Sequence, residues 1–211
     1  MRTIIKGILF DLDGTVLNTQ KMNIIPLQKL ILEELGKEIS YDELLEYCAY
    51  PGKETIKILG FHDIEKTYEK WVKYVNEFEE GAILYEGFDE VFKRLYEMGI
   101  KIGIASSKMK KQYEIDFVPT RLERYIECAV LAEDTIFHKP NPDPLLLGAK
   151  LLKLNPENII YVGDTFADEM ASKKAGMKFA LASWGSCDLS SISADFILNR
   201  PQDILELIGE V

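Results

Sequence analysis

The residues best suited to chemistry in this sequence are two aspartates, Asp11 and Asp13, in the segment FDLDGTVLNT. They follow the apolar run IIKGILF, where a buried strand is expected to end, so two like charges lie two residues apart beside a hydrophobic segment. Two carboxylates at this spacing could hold a hard cation, or could act as a nucleophile and an acid–base group on one reacting centre. The pattern marks the end of the first strand as a candidate catalytic site.

Three other apolar runs of the chain also have polar residues beside them. Ser106 and Ser107 follow KIGIA, Lys139 precedes PNPDPLLLGAKLL, and Asp164 and Asp168 follow NIIYVG. In an open α/β sheet, ligands bind beyond the carboxyl ends of the strands. We therefore expect these residues to lie near the aspartate pair in the folded chain.

The elements that must position these residues are short apolar runs alternating with helical patterns. Buried parallel strands separated by helices are the simplest account, which predicts an α/β fold with a Rossmann-like, doubly wound parallel sheet as its core. The runs cover residues 4–10, 100–106, 126–131, 158–163, 178–183 and 195–198.

The region that follows the aspartate pair is helical throughout. NIIPLQKLILEELG has apolar residues at helical spacing and stops at Gly36, a good C-cap residue. SYDELLEYC begins with a Ser-x-x-Glu capping box, and DIEKTYEKWVKYVNEF again has helical periodicity. We predict a small all-helical cap domain at residues 17–82, inserted after the first strand of a catalytic core formed by residues 1–16 and 83–211.

Composition excludes several classes of protein. The chain has 211 residues, 47% of them hydrophobic, which is enough for one core domain with a smaller second domain. Its formal net charge of -10 disfavours nucleic acid and anionic membranes as partners. No apolar run is long enough to span a bilayer, and the apolar part of MRTIIKG is too short for a signal peptide, so we expect a cytoplasmic protein.

Four motifs of the chain resemble those of the haloacid dehalogenase superfamily of phosphohydrolases. They are DLDGT, the serine after KIGIA, KPNPDP and GDTFAD, in this order. The spacing, the segment YEGFDEVFKRLYEMGIKIGIASSK and the helical insertion are similar to the phosphoglycolate phosphatase-like branch, which has a small helical cap. The resemblance covers nearly the whole chain. It implies a Mg²⁺-dependent phosphatase that hydrolyses a small phosphomonoester, such as phosphoglycolate or a sugar phosphate, through an aspartyl-phosphate.

The resemblance assigns a role to four residues of the reaction. Asp11 is the candidate nucleophile, and Asp13 protonates the leaving alkoxide and then takes a proton from the incoming water. Lys139 supplies positive charge close to Asp11 and the phosphoryl oxygens. Ser106 donates its hydroxyl to one phosphoryl oxygen.

Two further sets of residues follow from the same resemblance. A Mg²⁺ ion is expected on the carboxylates of Asp11 and Asp164 and the backbone carbonyl of Asp13, with Asp168 in support. Thr165 and Asp168 also have the spacing of a helix N-cap and its partner. The residues expected to bind phosphate are Gly14, Thr15, Ser106, Ser107 and Lys139.

The cap is expected to select the substrate, because the four motifs handle only the phosphoryl group. YCAYPGKETI contains a Pro-Gly turn followed by a helix start, where a cation or helix N-terminus could meet an anionic leaving group. Tyr50, Gly52 and Lys53 are therefore candidates for substrate specificity. A plain solvent-exposed turn between helices is an equally good interpretation of the sequence.

Other functions remain open at this point. A pyrophosphatase or a phosphomutase of the same superfamily is an alternative, although GDTFAD differs from the Glu-Asp arrangement of β-phosphoglucomutase relatives and so favours hydrolysis. A non-catalytic protein that binds a phosphorylated ligand is another. A receiver-type signalling domain has no use for the helical insertion. The expected partner is a small phosphorylated metabolite, and the expected assembly is a monomer or a weak homodimer.

Overall fold

A computed structural model of the protein describes residues 4–50, 52–187 and 189–210. The described chain divides into two compact units. Residues 4–18 and 84–210 belong to the first unit, and residues 19–83 belong to the second. The boundaries predicted from the sequence, at 17 and 82, lie within two residues of this division.

A six-stranded parallel sheet forms the centre of the first unit. Its strands are β1 (Gly7–Phe10), β4 (Lys101–Ala105), β5 (Cys128–Val130), β6 (Ile159–Gly163), β7 (Lys178–Ala182) and β8 (Phe196–Leu198). Two further short strands, β2 (Leu17–Asn18) and β3 (Ile83–Leu84), lie outside this sheet. The large sheet has the order β5-β4-β1-β6-β7-β8, and its neighbouring strands are all parallel. The six strands are those expected from the apolar runs, which confirms the predicted α/β doubly wound fold.

The helices connect these strands or build the second unit. They are α1 (Gln20–Leu35), α2 (Tyr41–Leu45), α3 (Gly52–Ile58), α4 (Ile64–Asn76), α5 (Phe88–Glu97), α6 (Lys110–Asp116), α7 (Asp143–Leu152), α8 (Phe166–Ala175) and α9 (Asp203–Glu210). Short 3₁₀ turns lie at Glu46–Ala49, Val118–Thr120, Leu122–Tyr125, Ala132–Asp134 and Pro156–Asn158. None of the helices in the described parts of the chain has both the length and the apolar character to cross a membrane.

The order of the strands changes direction between the two strands that precede the predicted aspartates. The chain continues from β1 toward β4 and β5 on one side, and from β6 toward β7 and β8 on the other. It therefore changes direction between β1 and β6, which is where ligands bind in doubly wound sheets. Asp11 and Asp164 directly follow these two strands.

Buried apolar side chains hold β1 in the middle of the sheet. All four of its residues are buried, as expected for a strand covered on both faces. The Phe10 ring stacks on Phe92 of α5 with a centroid distance of 5.0 Å. The end of β1 is therefore anchored in the core, and the loop that follows it starts from a fixed point.

The second unit is helical and has its own core. Gly36 ends α1 in a left-handed conformation with φ 62°, and Ser40 forms a capping box with Glu43 at the start of α2, both as predicted. The Trp71 indole donates a hydrogen bond to the Asn23 carbonyl at 2.9 Å. The buried apolar side chains of this core are Ile24, Leu27, Leu30, Ile31, Leu44, Ile56, Phe61 and Trp71.

One segment differs from the sequence-based prediction. Leu17 and Asn18 were expected to begin the helical insertion, but they form strand β2, which pairs with β3 in a separate two-stranded sheet. Leu17 is fully buried, and its carbonyl accepts a hydrogen bond from the Gly14 amide at 2.8 Å. These backbone contacts fix an extended conformation, so the first helix begins only at Gln20.

Candidate active site

Asp11 lies one residue beyond the end of β1, where the backbone is still tied to the sheet. Its amide donates a hydrogen bond to the Val162 carbonyl at 2.9 Å, which continues the β1–β6 pairing past the strand. Asp11 is 6% exposed. Burial raises the pKa of its carboxyl to about 6, with Asp168 adding to the rise and Lys139 opposing it. The structure thus holds this carboxylate in a fixed and poorly solvated position.

Lys139 places a positive charge against two of the carboxylates. Its Nζ lies 3.0 Å from Asp11 Oδ1 and 2.6 Å from Asp168 Oδ1, and its side chain is 5% exposed. Burial by itself would lower the pKa of Lys139, but the two carboxylates outweigh burial and raise it. The lysine therefore stays protonated beside Asp11.

The Tyr161 hydroxyl, on β6, joins Lys139 to the backbone of the sheet. It accepts a hydrogen bond from Lys139 Nζ at 3.0 Å, and it lies 2.9 Å from the Ala105 carbonyl and 3.1 Å from Asp168 Oδ1. A hydroxyl has one proton to donate, so it serves one of these two acceptors at a time. Burial and the neighbouring carboxylates raise the pKa of Tyr161, which keeps the hydroxyl protonated.

Asp164 follows β6 and faces the loop after β1. Its Oδ1 accepts a hydrogen bond from Thr15 Oγ1 at 3.0 Å. Burial, with Asp168 and Asp11 nearby, raises the pKa of Asp164 well above its ordinary value. Gly14 has φ +77°, and a Cβ at this position would lie 2.2 Å from Asp164 Oδ2. Only glycine leaves room for this approach of loop and carboxylate.

Asp168 has hydrogen-bond partners on both oxygens. Its Oδ1 accepts from Lys139 and Tyr161, and its Oδ2 accepts from Thr165 Oγ1 at 2.5 Å and from the Thr165 and Asp164 amides. Thr165 and Asp168 form the predicted capping box of α8. Burial would raise the pKa of Asp168, but Lys139 and the Thr165 hydrogen bonds outweigh it, so the pKa is lowered. Asp168 is therefore an ionised brace between Lys139 and the start of α8.

Three carboxylates of the site suit a hard divalent cation. Asp11, Asp164 and Asp168 each present an oxygen, and these oxygens all lie within 4.8 Å of one another. Among the described residues, Asp11 Oδ1 is buried and has no hydrogen-bond partner, although Lys139 Nζ lies within ion-pair distance. Burial, together with the neighbouring carboxylates, raises the pKa values of Asp11 and Asp164 although Lys139 opposes the rise in both. Oxygen donors with uncompensated negative charge fit a cation such as Mg²⁺.

Asp13 is the partly exposed member of the pair, and a second buried lysine holds it. Its side chain is 40% exposed, and its Oδ1 lies 3.0 Å from Lys108 Nζ. Lys108 also contacts Asp116 Oδ2 at 2.6 Å. Burial would lower the pKa of Lys108, but Asp13 and Asp116 outweigh burial and raise it.

Ser106 extends the pairing of β4 with β5 by one residue, because its amide donates to the Val130 carbonyl at 3.0 Å. The residue is 4% exposed. Its Oγ accepts a hydrogen bond from the Lys108 amide at 3.3 Å, which leaves the hydroxyl proton free to point elsewhere. Ser107, the other predicted serine, is exposed.

The loop after β7 braces the loop after β1. The Trp184 indole donates a hydrogen bond to the Thr15 carbonyl at 2.9 Å. A Cβ on Gly185 would lie 1.7 Å from the Gly14 oxygen, so the two backbones are in direct contact. This support was not predicted from the sequence, where the segment SWGS followed a strand without any charged residue.

The structure brings together most of the residues predicted for catalysis and metal binding. Direct contacts connect these residues in two groups. The group around Lys139 contains Asp11, Asp168, Asp164 and Thr15. In the other group, Asp13 contacts Lys108. The predicted specificity residues Tyr50, Gly52 and Lys53 belong to the second unit, and Pro51 of the predicted turn lies outside the described residues. Lys53 is exposed and pairs with Glu65 at 2.6 Å. The roles of all these residues stay predictions.

Sequence reasoning missed two residues that contact the predicted ones, and a third that contacts one of those two. The two are Lys108 and Tyr161, and the third is Asp116, which contacts Lys108. Lys108 had a usable signal, since it stands two residues after Ser106 near a strand end, but the sequence analysis gave it no role. Tyr161 looked like an ordinary strand residue, and Asp116 like an ordinary helix residue.

Comparison with known proteins gives a family match over most of the chain. The family model described as haloacid dehalogenase-like hydrolase matches residues 8–182. Among curated relatives, the pyrophosphatase PpaX of Anoxybacillus flavithermus (strain DSM 21510 / WK1) is 26% identical over 209 residues, which are 97% of this chain and 97% of that protein. The pyrophosphatase PpaX of Bacillus cereus (strain B4264) is also 26% identical, over 98% of each chain.

Solved structures share the fold over nearly their whole length. A putative phosphoglycolate phosphatase from Lactobacillus plantarum has a TM-score of 0.84 and 24% identity, with 96% of this chain and 99% of that chain covered. A putative beta-phosphoglucomutase from Thermotoga maritima has a TM-score of 0.76 and 20% identity, with 98% and 100% covered. At these identities the two structures support the fold of the chain.

Proposed function

The chain belongs to the haloacid dehalogenase-like hydrolase family, and we propose that it hydrolyses a small phosphomonoester through a phosphorylated Asp11. The family match and the phosphatase-named relatives make it a phosphohydrolase. The observation that carries the finer proposal is the buried Asp11 carboxylate against Lys139, with a partly exposed second carboxylate, Asp13, two residues away.

The first step of the proposed reaction is attack by an Asp11 oxygen on phosphorus. A bond forms from that oxygen to phosphorus as the bond from phosphorus to the leaving oxygen breaks, and the leaving oxygen takes a proton from Asp13. Lys139 and the Ser106 hydroxyl offset negative charge on the phosphoryl oxygens. The products of this step are a free alcohol and an aspartyl-phosphate on Asp11.

The second step returns the enzyme to its starting state. Asp13 takes a proton from a water molecule, whose oxygen attacks phosphorus and releases the Asp11 carboxylate. Because Asp13 is 40% exposed, it is open to both the leaving group and the incoming water. Asp11 is buried, which keeps water away from the nucleophile itself.

We propose Mg²⁺ as the metal of this site. The carboxylates of Asp11 and Asp164 and the backbone carbonyl of Asp13 would hold it, and Asp168 would support the arrangement from its network with Lys139 and Thr165. When bound, the ion supplies the positive charge that lets two anionic groups, a carboxylate and a phosphate, approach each other. The donor set consists of hard oxygens, which is what Mg²⁺ prefers.

The phosphate-binding roles of Gly14, Thr15 and Ser107 are part of the proposal. The Gly14 and Thr15 amides donate to the Leu17 and Leu12 carbonyls, so they already stabilise the loop. Their contribution is then the shape of the loop, in which Gly14 allows the close approach to Asp164. Ser107 is exposed at the end of β4, on the same edge as Ser106.

The second candidate substrate is inorganic pyrophosphate. It is favoured by the two relatives named pyrophosphatase PpaX, which match the chain over nearly its full length. Tyr50, Gly52 and Lys53 are proposed to select between leaving groups. Lys53 already pairs with Glu65, so a substrate anion would have to compete with that carboxylate.

The proposed setting of the enzyme is the cytoplasm, with a small phosphorylated metabolite as its partner and no nucleic acid or membrane partner. The formal net charge of -10 supports this, because it repels polyanions outside a local cationic site. We propose a monomer or a weak homodimer.

Phosphate release tests the proposal directly. The substrates are 4-nitrophenyl phosphate, phosphoglycolate, sugar phosphates, nucleotides and pyrophosphate, each with Mg²⁺ and with EDTA. Release that needs Mg²⁺ and is lost in Asp11→Asn is the expected result, and the preferred compound identifies the substrate class. Metal-independent release, or full activity in Asp11→Asn, would contradict the mechanism.

A further inference from the structure

Lys108 lies between two carboxylates from different elements of the first unit. Its side chain is 6% exposed, and Nζ lies 3.0 Å from Asp13 Oδ1 and 2.6 Å from Asp116 Oδ2. Asp116 ends α6 and its side chain is 2% exposed, whereas that of Asp13 is 40% exposed. The lysine thus connects a buried anchor to the most accessible carboxylate of the site.

The backbone of Lys108 is fixed as well as its side chain. Its amide donates to Ser106 Oγ at 3.3 Å, and its carbonyl accepts from the Ala132 amide at 3.1 Å. Hydrogen bonds at both backbone groups, with Asp116 at the amine, leave Lys108 little conformational freedom. A buried lysine is unfavourable unless it is paired, and Asp116 alone would supply a pair. The added contact with Asp13 therefore calls for a function.

We propose that Lys108 is a positioning residue for Asp13, anchored by Asp116. This inference rests on the proposed function, in which Asp13 exchanges a proton with the leaving group and with water. A half-exposed carboxylate on a loop samples several rotamers, and a fixed ammonium at Oδ1 selects one of them. In that rotamer Oδ2 is left for the reacting groups.

If Lys108 only positions Asp13, its removal should slow only the steps in which Asp13 transfers a proton. When the bond between phosphorus and the leaving oxygen breaks, that oxygen keeps the bonding electron pair and receives the proton from Asp13. A weakly basic leaving group such as 4-nitrophenolate departs without this proton, whereas phenolate is more basic and needs it. Misplacing Asp13 should therefore affect phenyl phosphate far more than 4-nitrophenyl phosphate, although the two substrates have nearly the same shape.

The test compares Lys108→Met with the wild type on these two substrates at saturating Mg²⁺. We expect kcat/KM for phenyl phosphate to fall about 10- to 100-fold, part of the usual contribution of a general acid, and kcat/KM for 4-nitrophenyl phosphate to fall no more than about threefold. Lys111→Met, which removes an exposed lysine of α6, is the matched control and should leave both values unchanged. Equal losses on both substrates in Lys108→Met would overturn the proposal, because a substrate ligand or a purely structural residue acts on both alike.

A double-mutant cycle shows whether Lys108 acts through Asp13. In the Asp13→Asn background, Lys108→Met should cause no further loss of kcat/KM for phenyl phosphate, because the group it positions is already gone. Additive losses would mean that Lys108 acts on the substrate or the fold instead, and would contradict the proposal.

Lys108→Met leaves Asp116 buried without a partner, which threatens folding. The variant Lys108→Met/Asp116→Asn removes both buried charges and should show the same difference between the two substrates. The contact itself is tested by NMR of ¹⁵N-labelled lysine side chains, in which the Lys108 ammonium signal should shift in Asp13→Asn. An unshifted signal would overturn the proposal, whether or not the protein hydrolyses phosphate esters. If the signal shifts but the wild type hydrolyses none of the substrates, the proposed function is refuted and the contact between Lys108 and Asp13 is not.

Discussion

Asp11 and Asp168 are both buried carboxylates in contact with Lys139, yet their pKa values move in opposite directions. The difference lies in hydrogen bonding. Asp168 accepts hydrogen bonds from Lys139, Tyr161, Thr165 and the Asp164 amide. Within the part of the chain that the structure describes, Asp11 Oδ1 has an ion pair with Lys139 and no hydrogen bond. Asp168 is therefore an ionised structural group, whereas Asp11 keeps an oxygen that is available to react.

Asp11→Asn should remove activity and stabilise the metal-free protein near neutral pH. The pKa of Asp11 rises from an ordinary value of 3.8 in the unfolded chain to about 6 in the folded chain. The folded chain therefore binds this proton more tightly, and stability falls as pH rises between these values. Asparagine carries no charge and avoids the loss. In EDTA at about pH 7.5, we expect a gain of about 1–3 kcal/mol in unfolding free energy.

Thermal and urea unfolding of both proteins at two pH values checks this sign. The gain should shrink as the pH is lowered toward about 4, where Asp11 is protonated in the folded wild type as well. A stability gain that does not depend on pH would show that the effect comes from something other than the carboxyl proton.

Tyr161→Phe should weaken both stability and turnover. The change removes a hydroxyl that accepts from Lys139 and donates to the Ala105 carbonyl or Asp168, so buried polar groups lose a partner. The expected cost is about 1–3 kcal/mol of unfolding free energy, with a lower kcat. Tyr96→Phe, at a tyrosine that is 60% exposed, is the control and should change neither quantity.

At the scale of elements, the site is a set of strand ends joined by short loops. The amides of Asp11 and Ser106 continue the sheet by one hydrogen bond each, so both side chains project from backbone that is still ordered by the strands. The loop after β1 is then fixed by Asp164 and by the loop after β7. Local backbone geometry should therefore control activity as strongly as the polar side chains do.

Gly14→Ala tests this at the tightest point of the loop. Gly14 and Gly176 have nearly the same φ, +77° and +76°, but a Cβ at Gly14 would lie 2.2 Å from Asp164 Oδ2, while one at Gly176 would meet nothing within 4 Å. Both alanine variants should lose about 1–2 kcal/mol from the left-handed backbone. Gly14→Ala alone should also lose phosphatase activity and metal binding, measured by phosphate release and by calorimetry with Mg²⁺. Normal Mg²⁺ binding by Gly14→Ala would contradict the steric argument.

Two capping boxes of the described residues, at the starts of α2 and α8, form a second matched pair. Thr165 and Ser40 both cap a helix and exchange hydrogen bonds with an acid three residues later. Replacement of either by alanine should cost about 1 kcal/mol of unfolding free energy. Only Thr165→Ala should lower kcat, because its hydroxyl also holds Asp168, the partner of Lys139. An equal loss of kcat in Ser40→Ala would mean that helix stability, and not the Asp168 contact, sets the rate.

For the whole molecule, the excess of buried negative charge predicts that metal binding and folding are coupled. Mg²⁺ binding to the folded state stabilises it by mass action, about 2.7 kcal/mol at a concentration 100 times Kd. Protons compete for the same oxygens, and Asp11 has a pKa of about 6, so the rise in Tm with Mg²⁺ should be larger at about pH 7.5 than at about pH 5. Scanning calorimetry with Mg²⁺ and with EDTA measures both values, and a rise in Tm that is equal at the two pH values would contradict the coupling.

The sequence by itself determined the order of strands and helices and the identity of most charged residues at the strand ends. The hydrophobic pattern within each segment identifies the element. A strand buried on both faces must be apolar over its length, and the apolar residues of an amphipathic helix must recur about every 3.6 residues. The aspartate pair and Asp164 stood out because they directly follow buried apolar runs, and Lys139 stood out through the KPNPDP motif that carries the family resemblance.

Only the tertiary structure decided which charges meet. Lys108 and Asp116 are eight residues apart, and Tyr161 is 22 residues from Lys139, and nothing in the local pattern shows that their polar atoms lie within 3 Å of each other. Such contacts depend on the packing of α6 and on the register of β6 against β1, which set side-chain directions that the sequence does not display. The same packing brings the strand-end acids into a site in which burial raises the pKa values of Asp11 and Asp164, while Lys139 and hydrogen bonds lower that of Asp168.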